Sequence, residues 1–559
     1  MTPELLLQHF NRISEAPDAV PRLRRFILDL AVRGKLVEQD PSDEPAGQLL
    51  KRIQAEKAQL IKEGKIKEPK ESSKTVSKPP YDLPVTWKWV PLGITVNSHL
   101  GGGTPSKNNS TYWDGDICWA SVKDIGKGKY VDSTIDRISE AGLKDSSSNL
   151  VPPGNLIVVT RMGLGKISIN RIPIAINQDL RALFLSSQAS IDYYYNFFKT
   201  YGFDGSGLTV KGIRVEELLN TPFPLPPLAE QHRIVAKVDE LMALCDQLEA
   251  ARNQREAHRD KLVAASLNRI SNTVADEATQ AASFHLTHLP RLTTKPEHIK
   301  QLRQTILDLA VRGRLVEQDP NDEPAAELLK RLGLKHSMIP DGGLDPALTS
   351  IHQTWALVRF DDVAITGGGV TLGRKLSNRK TITLPYLRVA NVKRGELDLA
   401  VVKEVEIAED EFERYALRVN DLLMTEGGDW DKVGRATIWR GEISRCLHQN
   451  HIFRSRMLSE ELLPRWFELY FNSPVGRVYF ESASKQTTNL ASINMRQVRG
   501  CPIPLPPLAE QHRIVAKVDQ LMALCDQLEA QLTTTESDSR RLLEAVLRDA
   551  LNPEVKEAA

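Results

Sequence analysis

Three short stretches of this 559-residue sequence have the residue types of a catalytic loop. "FDGSG" (Phe203–Gly207) has the form of the Gly-rich turn of an amino-methyltransferase, and "KPPY" (Lys78–Tyr81) that of its Asn/Asp-Pro-Pro-Tyr loop. In that chemistry an Asn or Asp side chain accepts a hydrogen bond from the target amino group. Lys78 has donors and no acceptor. "FDGSG" should also follow a hydrophobic strand and open a helix, whereas it follows "FFKTYG". "GGVTLGRK" (Gly368–Lys375) has the spacing of a phosphate-cradling loop, but Arg374 stands at the required Lys and Lys375 at the Ser/Thr. No HExxH, GxSxG or paired-Cys zinc spacing occurs. Cys118, Cys245, Cys446, Cys501 and Cys525 form no CxxC pair, and an odd, scattered set fits reduced thiols. The expectation is no catalytic residue, no metal ligand and no enzyme hidden in the chain.

The totals permit several functions. At this length one core is too few, so several domains are expected. A hydrophobic content of 41% with 26% charged residues is ordinary for a globular protein. The net charge of +1 leaves room for a local basic surface inside a neutral total. No apolar run approaches 18 residues, and the start has no basic region leading into an apolar one, so a cytoplasmic protein is expected.

The elements that would position any site repeat. "PLPPLAEQHRIVAKVDELMALCDQLEA" begins at Pro224 and recurs at Pro504 with one change, Glu240 to Gln520. "ILDLAVRGKLVEQDPSDEPAGQLLKRI" (Ile27–Ile53) recurs as "ILDLAVRGRLVEQDPNDEPAAELLKRL" (Ile306–Leu332). The offsets are 280 and 279, too long for a solenoid period and suited to internal duplication. The PLPPLAEQ element reads as a long helix, entered at Pro226 and Pro227. Ile234, Val238, Leu241, Cys245 and Leu248 follow at coiled-coil spacing, as do Ile514, Val518, Leu521, Cys525 and Leu528. Such a seam needs a partner helix, and the other copy is the expected one. Leu23–Gly34 and Leu302–Gly313 read as helices ending on Gly.

The regions between the repeats diverge but keep one skeleton. Each starts near a Trp (Trp87, Trp355), reaches a Gly-rich turn ("HLGGGTPSK", "ITGGGVTLGRK") and then alternates apolar runs with Gly/Asn/Asp turns. One helix is expected in each, at "SIDYYYNFFKTYG" and "LLPRWFELYFNSP". The expected class is α/β (α+β): two mixed, mainly β modules with a twisted or barrel-like sheet, joined by long paired helices with internal pseudo-two-fold symmetry. The expected order is a helical region (1–63), a flexible linker (64–80), a first module (81–223) and a long helix (224–270). A linker (271–300), a second helical region (301–336), a second module (343–503) and a second long helix (504–550) complete it.

The order of Trp, Gly-rich turn, "PYLRVANV", "NDLLMT", "HQN" and "IPLPPLAEQHRIV" resembles the specificity (S) subunit of type I restriction–modification systems, over essentially the whole chain. The resemblance implies that each module is a target recognition domain reading one half of a bipartite, asymmetric DNA sequence, with the helices as spacer. It implies two methyltransferase (M) subunits docked on the repeated helices, with restriction/translocase (R) subunits joining them. It also implies no cofactor in this chain; S-adenosylmethionine, ATP and Mg²⁺ belong to the partners.

Phosphate contacts need Lys, Arg and backbone N–H groups, and base reading needs polar side chains on loops. In the first module the candidates are Thr104, Lys107, Tyr112, Arg161, Lys166 and Lys211. In the second they are Thr371, Arg374, Lys375, Arg388, Lys393, Lys432, Arg435, Lys485, Gln486 and Asn494. The glycines Gly101–Gly103 and Gly367–Gly369 either let backbone approach phosphate or simply turn the chain. A scaffold whose modules hold proteins or sugars is the reading to separate from DNA binding.

Overall fold

The computed structural model describes residues 16, 18–67, 76, 79–202, 212–273, 275–339, 345–373, 375–376, 379–428, 432–487 and 490–551. They fall into two units, Met1–Gln254 with Glu536–Ala559, and Arg255–Thr535. "FDGSG", Lys78 and most of the expected linker at 64–80 lie outside the described residues.

Each unit carries an amphipathic helix ahead of its module, Ala19–Val32 in the first and Pro296–Val311 in the second. Each ends at a glycine in the left-handed region, Gly34 (φ +68°) and Gly313 (φ +67°). A Cβ on Gly34 would lie 3.2 Å from Trp87 Cζ2, and one on Gly313 3.0 Å from Trp355 Cζ2. The repeated glycine therefore meets two demands, the backbone turn and the close approach of the module's Trp. Behind it Asp40 and Asp319 accept backbone N–H bonds from Ser42 and Asn321, each 2.9 Å, and fix the turn. The next helix is Ala46–Lys62 in the first unit and only Ala325–Arg331 in the second, where Leu332-Gly333 interrupts it.

The two modules share topology despite their divergence. In the first, strands Val96–Gly101, Leu180–Leu185, Leu156–Val159, Ile167–Asn170 and Tyr130–Val131 lie side by side in that order. In the second, Ala364–Gly368, Ile452–Met457, Leu422–Thr425 and Ala436–Ile438 repeat it. A second small sheet recurs too. Trp113–Ala120 pairs antiparallel with Asp136–Ile138 and parallel with Ile174–Ile176, as Thr381–Leu387 does with Lys403–Ala408 and Leu447–His448. The strands are thus shared among separate small sheets instead of closing one barrel. The expected helices are present as Ile191–Thr200 and Pro464–Asn472. The mixed, mainly β modules and long helices of the expected fold class are as read.

Two expectations are corrected. Residues 271–300 are largely helical, with helices at Ala275–Thr287 and Leu289–Leu292. The polar composition hid this. Among the described side chains of Ala275–Thr287 only Ala281 and His285 are buried, Ala281 against Val263, Leu267 and Ile270, and His285 on the Ser266 hydroxyl at 2.8 Å.

The long helices, Leu228–Asn272 and Leu508–Leu551, carry the expected stripe, but its partner differs. Ile234, Val238 and Cys245, with Leu241, pack in a cluster with Ile27, Leu28 and Ala31. Ile514, Val518 and Cys525, with Leu521 and Leu528, pack with Ile306, Leu307 and Ala310. Leu248 is 43% exposed. Each stripe is covered by the short repeated helix of its own unit. Arg24 bonds Asp246 and Glu249 across that contact in the first unit, and Arg303 bonds Asp526 and Glu529 in the second.

Candidate nucleic-acid interface

Each module enters and leaves through one two-stranded ladder. Lys88–Pro91 pairs antiparallel with Pro222–Leu225, and Ala356–Arg359 with Pro502–Leu505. The leaving strand runs into the prolines that open the long helix. There Glu230, fully buried, accepts from Trp87 Nε1 (2.8 Å) and Gln39 Nε2 (2.6 Å). Glu510 accepts from Trp355 Nε1 (2.9 Å) and Gln318 Nε2 (2.6 Å). Burial pushes both carboxyls above the usual carboxylate range. Arg233 and Arg513 grip Asp43 and Asp322 with two bonds each. The Glu and Arg of "PLPPLAEQHR" therefore lock module, short helix and long helix together. An unpaired buried Trp N–H costs about 1–3 kcal/mol, so neither Glu is free to vary.

The Gly-rich turns are structural at their tightest point. A Cβ on Gly102 would lie 1.8 Å from Ile176 O, and one on Gly369 2.0 Å from His448 O. The following amides, Gly103 N and Val370 N, donate to those same carbonyls. Close backbone crossing therefore decides these glycines, and no phosphate is needed to explain them.

The predicted contact residues separate on inspection. Lys107, Arg161 and Lys166 are exposed in the first module, as are Thr371 and Lys375 in the second. Arg161 lies 3.7 Å from Asp179. Thr104 donates to Gln178, and Tyr112 to Asp145. Lys393 faces Asp398 at 3.6 Å, and Arg388 reaches the Val401 carbonyl. Lys432 and Arg435 are half-buried. Asn494 is exposed, and its side chain accepts from Gln497 N (3.0 Å) in a reciprocal capping box at a helix start. Lys211 and Arg374 lie outside the described residues, as do the side chains of Lys485 and Gln486. Lys123 and Lys127, which sequence reading does not single out, also stand exposed, on a loop that packs against Lys166 at Gly126. Their signal was a pair of lysines flanking Gly126 just past a strand.

A second surface is common to both units. Beyond the locked residues, Ala229, His232, Ala236, Ala243, Leu244 and Gln247 are exposed on the first long helix. Ala509, His512, Ala516, Ala523, Leu524 and Gln527 are exposed on the second. Leu244 and Leu524 are 47% and 48% exposed. The repeat is kept even where its own fold asks nothing of it.

Comparison with known proteins gives a consistent result. A family model described as "Type I restriction modification DNA specificity domain" matches residues 84–255 and 352–535. The specificity subunit of type I restriction enzyme EcoAI of Escherichia coli is 30% identical, over 95% of this chain and 94% of its own length. That of EcoEI is 28% identical over 95% and 94%, and that of EcoKI, from strain K12, 22% identical over 85% and 90%. Among solved structures, the HsdS subunit from Thermoanaerobacter tengcongensis matches 85% of this chain and 99% of its own, at 18% identity and a TM-score of 0.41.

Proposed function

The chain belongs to the family of type I restriction–modification specificity subunits, non-catalytic components that carry DNA specificity, and from that premise we propose that its two modules read the two halves of one asymmetric, bipartite DNA target. The observation that supports this most is the pairing of like frames with unlike loops. Both modules share a strand order and an identical lock on their long helix, while their loops differ in sequence and charge. One frame used twice with different loops suits two different half-sites. Because the halves differ, the target is asymmetric.

The two like-exposed helix faces each dock one methyltransferase subunit, and restriction subunits join that core. S-adenosylmethionine, ATP and Mg²⁺ act on those partners, in the cytoplasm, and this chain carries no cofactor. The long helices set the unread spacer. At ~1.5 Å per residue the repeated helical segment spans ~40 Å, against ~34–36 Å for a turn of duplex.

The test is binding of duplexes by the chain together with its methyltransferase partner. Both half-sites should be required, in fixed order and at fixed spacing. Tight binding to one contiguous site, or equal binding to all DNA, would reject the bipartite reading.

A further inference from the structure

The first module carries a basic surface that no ion pair among the described residues neutralises. It is built from two adjoining loops, residues 121–128 and 161–166. The first is rigidly held. Asp124 accepts from Ser121 N (2.8 Å), Ser121 Oγ (3.1 Å) and Ile135 N (2.9 Å). Ile125 is buried. Gly126 N donates to Ser168 Oγ (3.0 Å), which donates to Gly128 O (2.9 Å). The second loop lies against the first. A Cβ on Gly126, whose φ is +82°, would stand 3.1 Å from Cβ and Cγ of Lys166, and one on Gly163 3.1 Å from Val122 Cγ1.

From this base Lys123, Lys127 and Lys166 stand exposed, and none of them forms an ion pair among the described residues. Asp124, the one carboxylate of these loops, is itself buried and engaged by backbone. Between the basic residues Met162 is 65% exposed with φ +59°, a left-handed conformation that non-glycine residues seldom adopt. Strain of this kind persists where the surroundings hold it, often at ligand-binding loops. The second module is built differently at the first of these loops. After its corresponding strand Lys393 faces Asp398, and Arg394 reaches Asn472 Oδ1 at 3.4 Å.

We propose that loops 121–128 and 161–166 grip DNA phosphates through Lys123, Lys127 and Lys166, independently of base sequence. Three uncompensated ammonium groups on a pre-held frame match the partner's chemistry. Lys presents a point charge that suits a phosphate oxygen and does not need the two-pronged geometry of base reading. The proposal rests on the DNA-binding reading above.

The experiment measures binding of the full chain to two duplexes of unrelated sequence between about 50 and 200 mM salt. For wild type, log Kobs should fall linearly with log salt. The K123A/K127A/K166A variant should flatten that slope by about 2.7 on both duplexes, at about 0.9 for each phosphate no longer neutralised. K51A/K62A/K330A, the same charge change on exposed helix positions, should leave the slope unaltered. Single Lys→Gln variants, each flattening it by about 0.9, keep the test sound if the triple variant folds poorly. A steep wild-type slope that the triple variant keeps would overturn the inference and leave DNA binding standing. A weakening confined to one duplex would overturn it as well, by making these lysines base readers. A wild-type chain with no salt-dependent binding would remove the underlying reading itself.

Discussion

His448 of the "HQN" motif shows how a residue can look functional and serve the frame. It is fully buried, and its Nδ1 bonds the Ile452 carbonyl at 2.9 Å. Burial pushes its pKa down to about 4. The first module has Ile176 at the same point of the frame, since Gly103 N and Val370 N bond Ile176 O and His448 O alike. The unfolded chain takes a proton near pH 6.5, while the folded chain refuses it until about pH 4. Stability is therefore intact above pH 6.5 and falls as pH drops through that window, by about 3 kcal/mol at most. Glu230 and Glu510 shift upward, the opposite way and alike in both units, so they do not separate the units. Chemical unfolding near pH 7 and near pH 5 should show the second unit losing more stability, and His448→Ile should shrink the difference, leaving the share of buried His285 in the same unit, whose pKa burial also lowers. Equal losses in the two units would sink this account. The sequence displayed the His and the glycines of both modules, but not the strand crossing that joins them. Asn494 is likewise visible in the sequence as a polar loop residue, while its capping bond with Gln497 shows only in the fold.

At the scale of elements, spacing told which face of a helix is apolar and not what covers it. The stripe from Ile234 to Cys245 was legible, but its cover, Ile27 to Ala31, lies about 200 residues away in sequence. The missed helix at Ala275–Thr287 fails for a related reason, because two buried side chains are too few to make a period. The opposite face of the long helices carries alanines, whose spacing has no chemistry of its own to mark it in the sequence. Its exposed Ala229, Ala236 and Ala243 stand one heptad apart, as do Ala509, Ala516 and Ala523. Small side chains at that interval let another helix approach closely. Ala243→Arg should therefore leave stability within about 0.5 kcal/mol, as exposed substitutions do. It should weaken docking of one methyltransferase subunit by tenfold or more. Native mass spectrometry should find one such subunit on Ala243→Arg or Ala523→Arg alone, and none on the double variant. Two subunits retained on the double variant would place the docking surface elsewhere.

Across the whole molecule, duplication was the most legible feature, and its departures from symmetry are the informative part. Each long helix starts in one unit and ends in the other, because the units divide at Gln254/Arg255 and Thr535/Glu536. In the first unit the tail of the second long helix sets Leu543 and Val546 on Ala16 and Ala19. Beside them Arg540 lies 3.8 Å from Asp18, and Glu544 3.7 Å from Arg22. In the second unit the tail of the first long helix sets Val263 and Leu267 beside Leu302, with Asp260 on His298 (2.8 Å) and Lys295 (2.9 Å). Asp260 and Arg540 are the same position of the repeat, 280 residues apart, with opposite charge. An exchanged tail would bring Asp260 to Asp18 and Arg540 to Lys295. The near-identical helices are therefore not interchangeable at their far ends, and the chain can keep two like-exposed helix faces without confusing its two halves. Exposed pairs of this kind are worth roughly 0–1 kcal/mol each, so the contrast between variants is the quantity to read. Asp260→Arg with Arg540→Asp should leave both tails facing like charge and cut severalfold faster in limited proteolysis than Asp260→Asn with Arg540→Gln. Adding Asp18→Arg should slow cutting at the tail of the second long helix alone. If the reversed and neutral pairs are cut at the same rate, charge does not direct the tails and the apolar contacts alone seat them.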